Sequence, residues 1–330
     1  MKILQLDIKA ERNLSSFLTT YIINPFAIYG VSNALFVNYV LSEIYDADSN
    51  GGFVLVAKED DKVVGLISLK RSEWDSKHFG IEISKIDQLV AAGDYLKSLH
   101  IKRRLISSLI ARCNKELLLH VSARVNKEDL SSIHALESKY FRLMDILVTY
   151  FLDFRKHPLI HNENHHNIRK FVNSDVPILG QLALDCFHDA AVVTDRFHAD
   201  PTLPKAKSGQ LYSKWVFNSC NDPFSEVLVA EIDGKPIGFN VCNINPTLSN
   251  LIGLRVGTLA LTAVNSSARN KLVATSLLNA SIAWFADKVD VIETGGQASN
   301  YAIQRTWNTV GLKITRVQCT FHWSVLTENI

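Results

Sequence analysis

Residues 258–280 read TLALTAVNSSARNKLVATSLLNA. Thr258 to Val264 is dominated by β-branched and apolar residues, which pack well on a pleated surface, so the segment reads as a strand. Val273 to Ala286 reads as a helix, and Val289 to Thr294 as the next strand. The turn between the first strand and the helix, Arg269-Asn270-Lys271-Leu272-Val273-Ala274, opens the helix. Its backbone amides are therefore placed to receive a phosphate or pyrophosphate, with Lys271 as a movable positive charge. The turn contains no glycine and is neither a Walker loop nor a dinucleotide fingerprint. A solvated basic helix start is the alternative reading.

Working outward, the same alternation of strand and helix continues in both directions. Ile178 to Phe187 and Leu211 to Phe217 read as helices. Earlier, Arg103 to Cys113 carries apolar residues at 105, 106, 109 and 110, which form one helical face. Leu117 to Val121 reads as a strand, Asp129 to Phe141 as a helix and Met144 to Phe154 as a strand. This order gives an α/β fold class. VLVAKEDDKVVG at 54–65 and VLVAEIDGKPIG at 227–238 each read as a β-hairpin. Their equal length and matching start predict two related domains, 1–156 and 168–330. The polar segment HPLIHNENHHN at 157–167 falls between them. Its histidines, His157, His161, His165 and His166, lack a thiolate or an ordered ligand scaffold, so a linker without metal is expected.

The 330 residues hold 35 Lys plus Arg against 33 Asp plus Glu, a near balance that argues against a polybasic nucleic-acid binder. The N-terminal stretch lacks the pattern of a secretory signal, and runs such as Ile178 to Leu184 are far too short to cross a bilayer. A soluble, cytoplasmic protein without membrane insertion is expected. The five cysteines, at 113, 186, 220, 242 and 319, are odd in number and scattered, and read as buried thiols.

The 258–280 stretch, followed by NYAIQRTWNTVGL at 300–312, resembles the core of the GCN5-related N-acetyltransferase (GNAT) superfamily. The resemblance implies tandem GNAT-like mixed-sheet domains, the first degenerate because it lacks a recognisable pyrophosphate loop. It implies that Ala263 and Val264 pair with the pantetheine arm of acetyl-CoA and that Arg269, Asn270, Lys271, Leu272, Val273 and Ala274 hold its pyrophosphate. Asn270 and Leu272 stand where the family has glycines. Asn300 matches the family asparagine, and Trp307 stands where many members carry a tyrosine that protonates the departing thiolate. WDSKHFG at 74–80, DRFHADPTLPKAKSGQLYSKW at 195–215, VSARVNKEDLSSIHALES at 121–138 and the terminal FHW are similar to acetyltransferases of the TDP-fucosamine (dTDP-4-amino-4,6-dideoxygalactose) type. By that resemblance the acceptor is a nucleotide-linked amino sugar, contacted by Trp74, His78, Phe79, Arg196, Tyr212 and Trp215.

Acetyl transfer to an amine needs a proton acceptor. His188, His198 and His322 titrate in a suitable range, and Asp195 has the chemistry to orient the amine or activate a water. The leading reading is an acetyl-CoA-dependent N-acyltransferase acting on a small-molecule amine, with a homodimer left open. Acetylation of a protein amine or polyamine, and a noncatalytic acyl-CoA sensor or scaffold, are the competing readings.

Overall fold

Both copies of the repeated hairpin close on left-handed backbone: Asp60 and Asp61 have φ of 46° and 60°, and Asp233 and Gly234 have 50° and 73°. Positive φ at both central residues gives a turn whose twist matches the flanking strands. The copies also end alike, on Gly65 and Gly238, and each glycine lies under a helix. A Cβ at Gly65 would sit 2.4 Å from Ile101 Cγ2, and one at Gly238 would sit 3.2 Å from both Leu277 and Val273 side chains.

The computed structural model describes residues 1–6, 13–156, 166–188 and 195–325. They fall into two compact units. Unit 1 contains Met1–Ile146, Asp200–Thr202 and the residues from Val317 on, and unit 2 contains Leu147–Ala199 and Leu203–Arg316. The division runs through two strands rather than along the polar segment at 157–167. A strand belongs to the sheet with which it pairs, and chain order does not decide that. Of the expected linker, His157, His161 and His165 lie outside the described residues, and Asn167 already begins a strand.

Unit 1 comprises β1 (Lys2–Gln5), α1 (Leu14–Tyr21), α2 (Asn33–Ser49), β2 (Phe53–Glu59), β3 (Lys62–Arg71), α3 (Glu73–Phe79), β4 (Ile83–Ala91), α4 (Tyr95–Glu116), β5 (His120–Asn126) and α5 (Leu130–Glu137). Its sheet runs β1-β2-β3-β4-β5 and is continued by residues 318–324 of the C-terminal strand Lys313–Ser324, antiparallel to β5. Helix α4 begins well before the expected Arg103 because Asp94 caps it, accepting from the Lys97 amide at 2.9 Å. Leu117, at φ 56°, ends it, which delays the expected strand to His120. Ile101, Leu105, Ile106, Leu109 and Cys113 of α4 pack with Phe321 and Trp323 of the C-terminal strand in one core. Burying each large aliphatic side chain contributes about 1.5–3 kcal/mol.

Unit 2 repeats the plan. Its elements are β6 (147–153 of the strand Arg142–Asp153), β7 (Asn167–Lys170), α6 (Val176–Phe187), α7 (Arg196–Ala199), α8 (Lys205–Cys220), β8 (Ser225–Ile232), β9 (Lys235–Ile244), α9 (Pro246–Ile252), β10 (Val256–Val264), α10 (Val273–Phe285), β11 (Val291–Gln297) and α11 (Tyr301–Thr309). The sheet order is β6-β11-β10-β9-β8-β7. Val273, Leu277, Leu278, Ile282 and Phe285 of α10 and Trp307 of α11 share a core with Tyr150, Leu259 and Ile292 of the sheet.

Candidate active site

Strands β10 and β11 start as parallel partners, Val256 to Leu259 against Val291 to Thr294, and then part. Beyond Leu259, β10 continues to Val264 while pairing with β9, and a bulge between Leu259 and Leu261 accompanies the parting. Bulges raise local twist and redirect side chains, so the split follows from the insertion of one residue. The split leaves β10 backbone groups beyond Leu259 without a β11 ladder partner. A cleft of about 810 Å³ opens there, lined by Thr262, Ala263 and Val264 of β10, Gln297 of β11, and Asn300, Tyr301, Arg305 and Thr306 at or within α11. Arg269, Asn270, Leu272, Val273, Ala274 and Thr275 close its other side.

The turn into α10 is held in a form that suits an anion. Asn270 and Leu272 both lie in the left-handed region, at φ 61° and 60°. Leu272 is the N-cap of α10, and no side chain caps the helix there. The amides of the first turn, which lack intrahelical acceptors, are therefore open to a ligand, and the helix dipole adds a partial positive charge. His166, expected in the linker, instead donates from Nε2 to the Lys271 carbonyl and tethers this turn. The Lys271 side chain is exposed and does not line the cleft. Among the described residues that do line it, Arg269 and Arg305 are basic and none is Asp, Glu or His.

Residues 192–311 match the acetyltransferase (GNAT) family model. Apart from Asp200–Thr202 the match lies within unit 2, and the chain as a whole has the GNAT fold. A GCN5-related N-acetyltransferase from Sphaerobacter thermophilus superposes with a TM-score of 0.66 at 10% identity, covering 98% of this chain and 95% of that one. A tandem GNAT protein from the clavulanic acid biosynthesis pathway gives 0.56 at 13% identity, covering 98% of both chains. A fungal GCN5-related glucosamine N-acetyltransferase region, part of a multi-domain GH3 β-N-acetylglucosaminidase, gives 0.63 at 12% identity. It covers 98% of this chain and 38% of that one. No curated protein matches in sequence.

GNAT enzymes use acetyl-CoA as co-substrate, and the uncapped α10 N-terminus, two left-handed turn residues and two arginines at this cleft suit its pyrophosphate. Leu272 supplies by strained backbone what a glycine supplies freely, at a cost of about 1–2 kcal/mol. Its side chain is half exposed and does not plug the turn with buried bulk. Asn300 caps α11, accepting from the Ile303 amide. Trp307 lies away from the cleft: it is buried, with its ring 5.1 Å from that of Tyr150. Gly296 makes room for it, since a Cβ there would sit 2.9 Å from Trp307 Cη2. Cys186, expected as a buried thiol, is only partly buried: it lines the cleft and donates to the Val264 carbonyl at 3.4 Å. Burial pushes this thiol up, partly offset by the neighbouring Arg269.

The expected acid–base residues do not converge in this cleft. His188 ends α6, is exposed, and donates from Nδ1 to the Leu184 carbonyl. Asp195 and His198 do form a buried pair, Oδ2 to Nδ1 at 2.6 Å. Asp195 also caps α7 by accepting from the Phe197 and His198 amides. Burial raises the Asp195 carboxyl, but hydrogen bonds from His198, Tyr212 and the Phe197 amide hold it below the usual range. Tyr212 stacks between Phe187 and Trp215, while Arg196 lies over Phe197 at 4.3 Å.

His322 belongs to unit 1, where its Nδ1 donates to Asp200 Oδ2 at 2.7 Å and His120 Nε2 donates to the same oxygen at 2.8 Å. All three are buried, so this cluster is closed to substrate. Asp200 and His120 were not singled out by sequence, because nothing local marks two residues whose partners lie 80 and 122 positions away. Also in unit 1, Trp74 stacks on His78 at 5.4 Å within α3, and His78 and Phe79 are buried. That segment is a packed helix closed by Gly80, whose φ is 73°. Among the described residues no helix is long and apolar enough to cross a membrane.

Proposed function

We propose that the protein transfers an acetyl group from acetyl-CoA to a primary amine, and that the acceptor is a nucleotide-linked amino sugar. The observation that carries the reading is the split between β10 and β11 ending at the uncapped N-terminus of α10. Bound there, acetyl-CoA supplies a thioester-activated acetyl group. The backbone of Ala263 and Val264 lies along the cleft and is placed to pair with an amide-bearing chain, as an added strand would. The amides of the α10 first turn and Arg269 hold the pyrophosphate. Fixing donor and acceptor together in this way lowers the entropic part of the barrier. With no carboxylate or imidazole among the described cleft residues, the amine proton leaves to solvent or to a group outside the cleft. The amino-sugar acceptor is supported by the 74–80 and 195–215 signatures and by a fungal neighbour of the same fold that is named for glucosamine acetylation.

The test is calorimetric titration with acetyl-CoA, followed by mass detection of acetyl transfer over a panel of nucleotide amino sugars, free amino sugars and polyamines. Saturable binding with a one-acetyl mass gain on a nucleotide amino sugar is expected. Absence of acetyl-CoA binding by folded protein would overturn the reading.

A further inference from the structure

The β10 bulge does more than open the cleft: it changes which residues face each side of the sheet. Before it, Gly257 faces α10, where a Cβ would meet Phe285 at 2.5 Å. After it, Thr262 faces the same side, its Oγ1 bonded to Asn240, which in turn bonds Ser281 of α10. Thr258 and Ala260 alternate with Gly257 and so take the opposite face, under α8. They line a second cavity there, of about 540 Å³, with Trp215 of α8 and with Asp222, Ser225 and Asn243. Thus Ala260 borders one cavity and Thr262, two residues on, borders the other.

The two cavities have opposite charge. Among the described residues, those lining the cleft include two arginines and no carboxylate, whereas Asp222 is the single ionisable side chain lining the α8 cavity. Its carboxylate is fixed in place. Oδ2 accepts from Ser225 Oγ at 2.8 Å and Asn243 Nδ2 at 3.2 Å, and Oδ1 accepts from the Phe224 amide at 3.0 Å. A carboxylate offers about four acceptor positions, so one is left for a ligand. The Trp215 indole, 38% exposed, gives an aromatic wall that attracts cations and covers an apolar ring face.

We infer that the α8 cavity is the acceptor site and that Asp222 anchors the acceptor's amino group, with Trp215 against its ring. The inference rests on the proposed acetyl transfer and names the residues that would select an amine. A fixed carboxylate discriminates an ammonium from a hydroxyl because loss of a charge-assisted hydrogen bond leaves a polar group poorly matched.

The experiment compares binding of dTDP-4-amino-4,6-dideoxygalactose with that of its 4-hydroxy counterpart by ligand-observed NMR, independently of turnover. Wild type should prefer the amino compound by about ten-fold or more. Asp222→Asn should abolish that preference and leave the acetyl-CoA Kd unchanged. Because Asp222 also shapes its turn, Asn218→Asp on the exposed surface of α8 provides a second variant; it adds a carboxylate to the same cavity and should increase the preference. Equal binding of the two compounds by wild type, no binding of either, or an unaltered preference in both variants would overturn the assignment. If the amine binds in an Asp222-dependent way but no acetyl is transferred, the acetyltransferase reading falls and the site stands. If acetyl is transferred with both variants indistinguishable from wild type, the site falls and the activity stands.

Discussion

Leu272 shows how a single residue can hold the shape of a glycine turn without being one. Its φ of 60° is forced by the sharp entry into α10, and the left-handed region costs a non-glycine residue about 1–2 kcal/mol. Leu272→Gly gains that energy and loses part of it to the freer unfolded chain, so a net stabilisation of about 0.5–1 kcal/mol is expected. Urea denaturation checks it, with Leu272→Ala as the control that keeps the strain and gains nothing. Asp200 is the opposite case, a side chain that joins two partners distant in sequence, His120 and His322. Burial raises its carboxyl, but hydrogen bonds from His120, His322 and Thr202 hold it well below the usual range. A depressed folded value means that its stabilisation is present above the unfolded carboxylate value of about 3.9 and is lost as pH falls towards the folded one. Asp200→Asn should cost about 2–3 kcal/mol at neutral pH. It should also flatten the acid limb of a stability-versus-pH series below about pH 4. An acid limb identical to wild type would show that the carboxylate is not linked to folding.

At the scale of elements, the duplicated hairpin and its helix are the repeating device, and the glycine beneath each helix sets how closely the two pack. Gly65→Ala drives a methyl to 2.4 Å from Ile101, where something must move, and overpacking of this kind costs about 1–3 kcal/mol. A lowered urea midpoint at unchanged slope is expected, and a midpoint equal to wild type would mean that α4 shifts freely. The helix starts separate the two copies. In unit 1, β4 and β5 also part after Ile86 and Ala123, and a cavity of about 640 Å³ opens beside them. There, however, Asp94 caps α4 and places a carboxylate where α10 offers bare amides. A negative charge at that point repels a pyrophosphate, so calorimetry should find one acetyl-CoA per chain; two would overturn this account. The hairpins and the central strand and helix were legible in sequence because β-branched runs, Asp-Gly type turns and helical spacing are local signals. The true start of α4 was not, since it depends on a cap, Asp94, that lies eleven residues before the apolar stripe begins at Leu105.

At the scale of the whole molecule, the C-terminal strand is the element that chain order misplaces. Residues 318–324 pair with β5, and Phe321 and Trp323 are buried in the core built by α4. A fragment of residues 1–156 therefore lacks a strand and two of the large side chains of its own core. It should remain unfolded by near-ultraviolet circular dichroism and gain structure when residues 313–325 are supplied in trans. A cooperative transition from 1–156 alone would show that the strand is dispensable. By itself the sequence determined the α/β class, the duplicated hairpin, the GNAT resemblance and the turn that ends the cleft, all of which are written in residues close together along the chain. Only the tertiary structure decided that His322 belongs with His120 and Asp200, that Trp307 is core, that His166 tethers the turn, and that a bulge gives β10 two differently charged cavities. Those facts depend on strand partnership and on which face a side chain takes. Both are set by packing between residues far apart in sequence, and a one-residue bulge reverses the second without leaving a local mark.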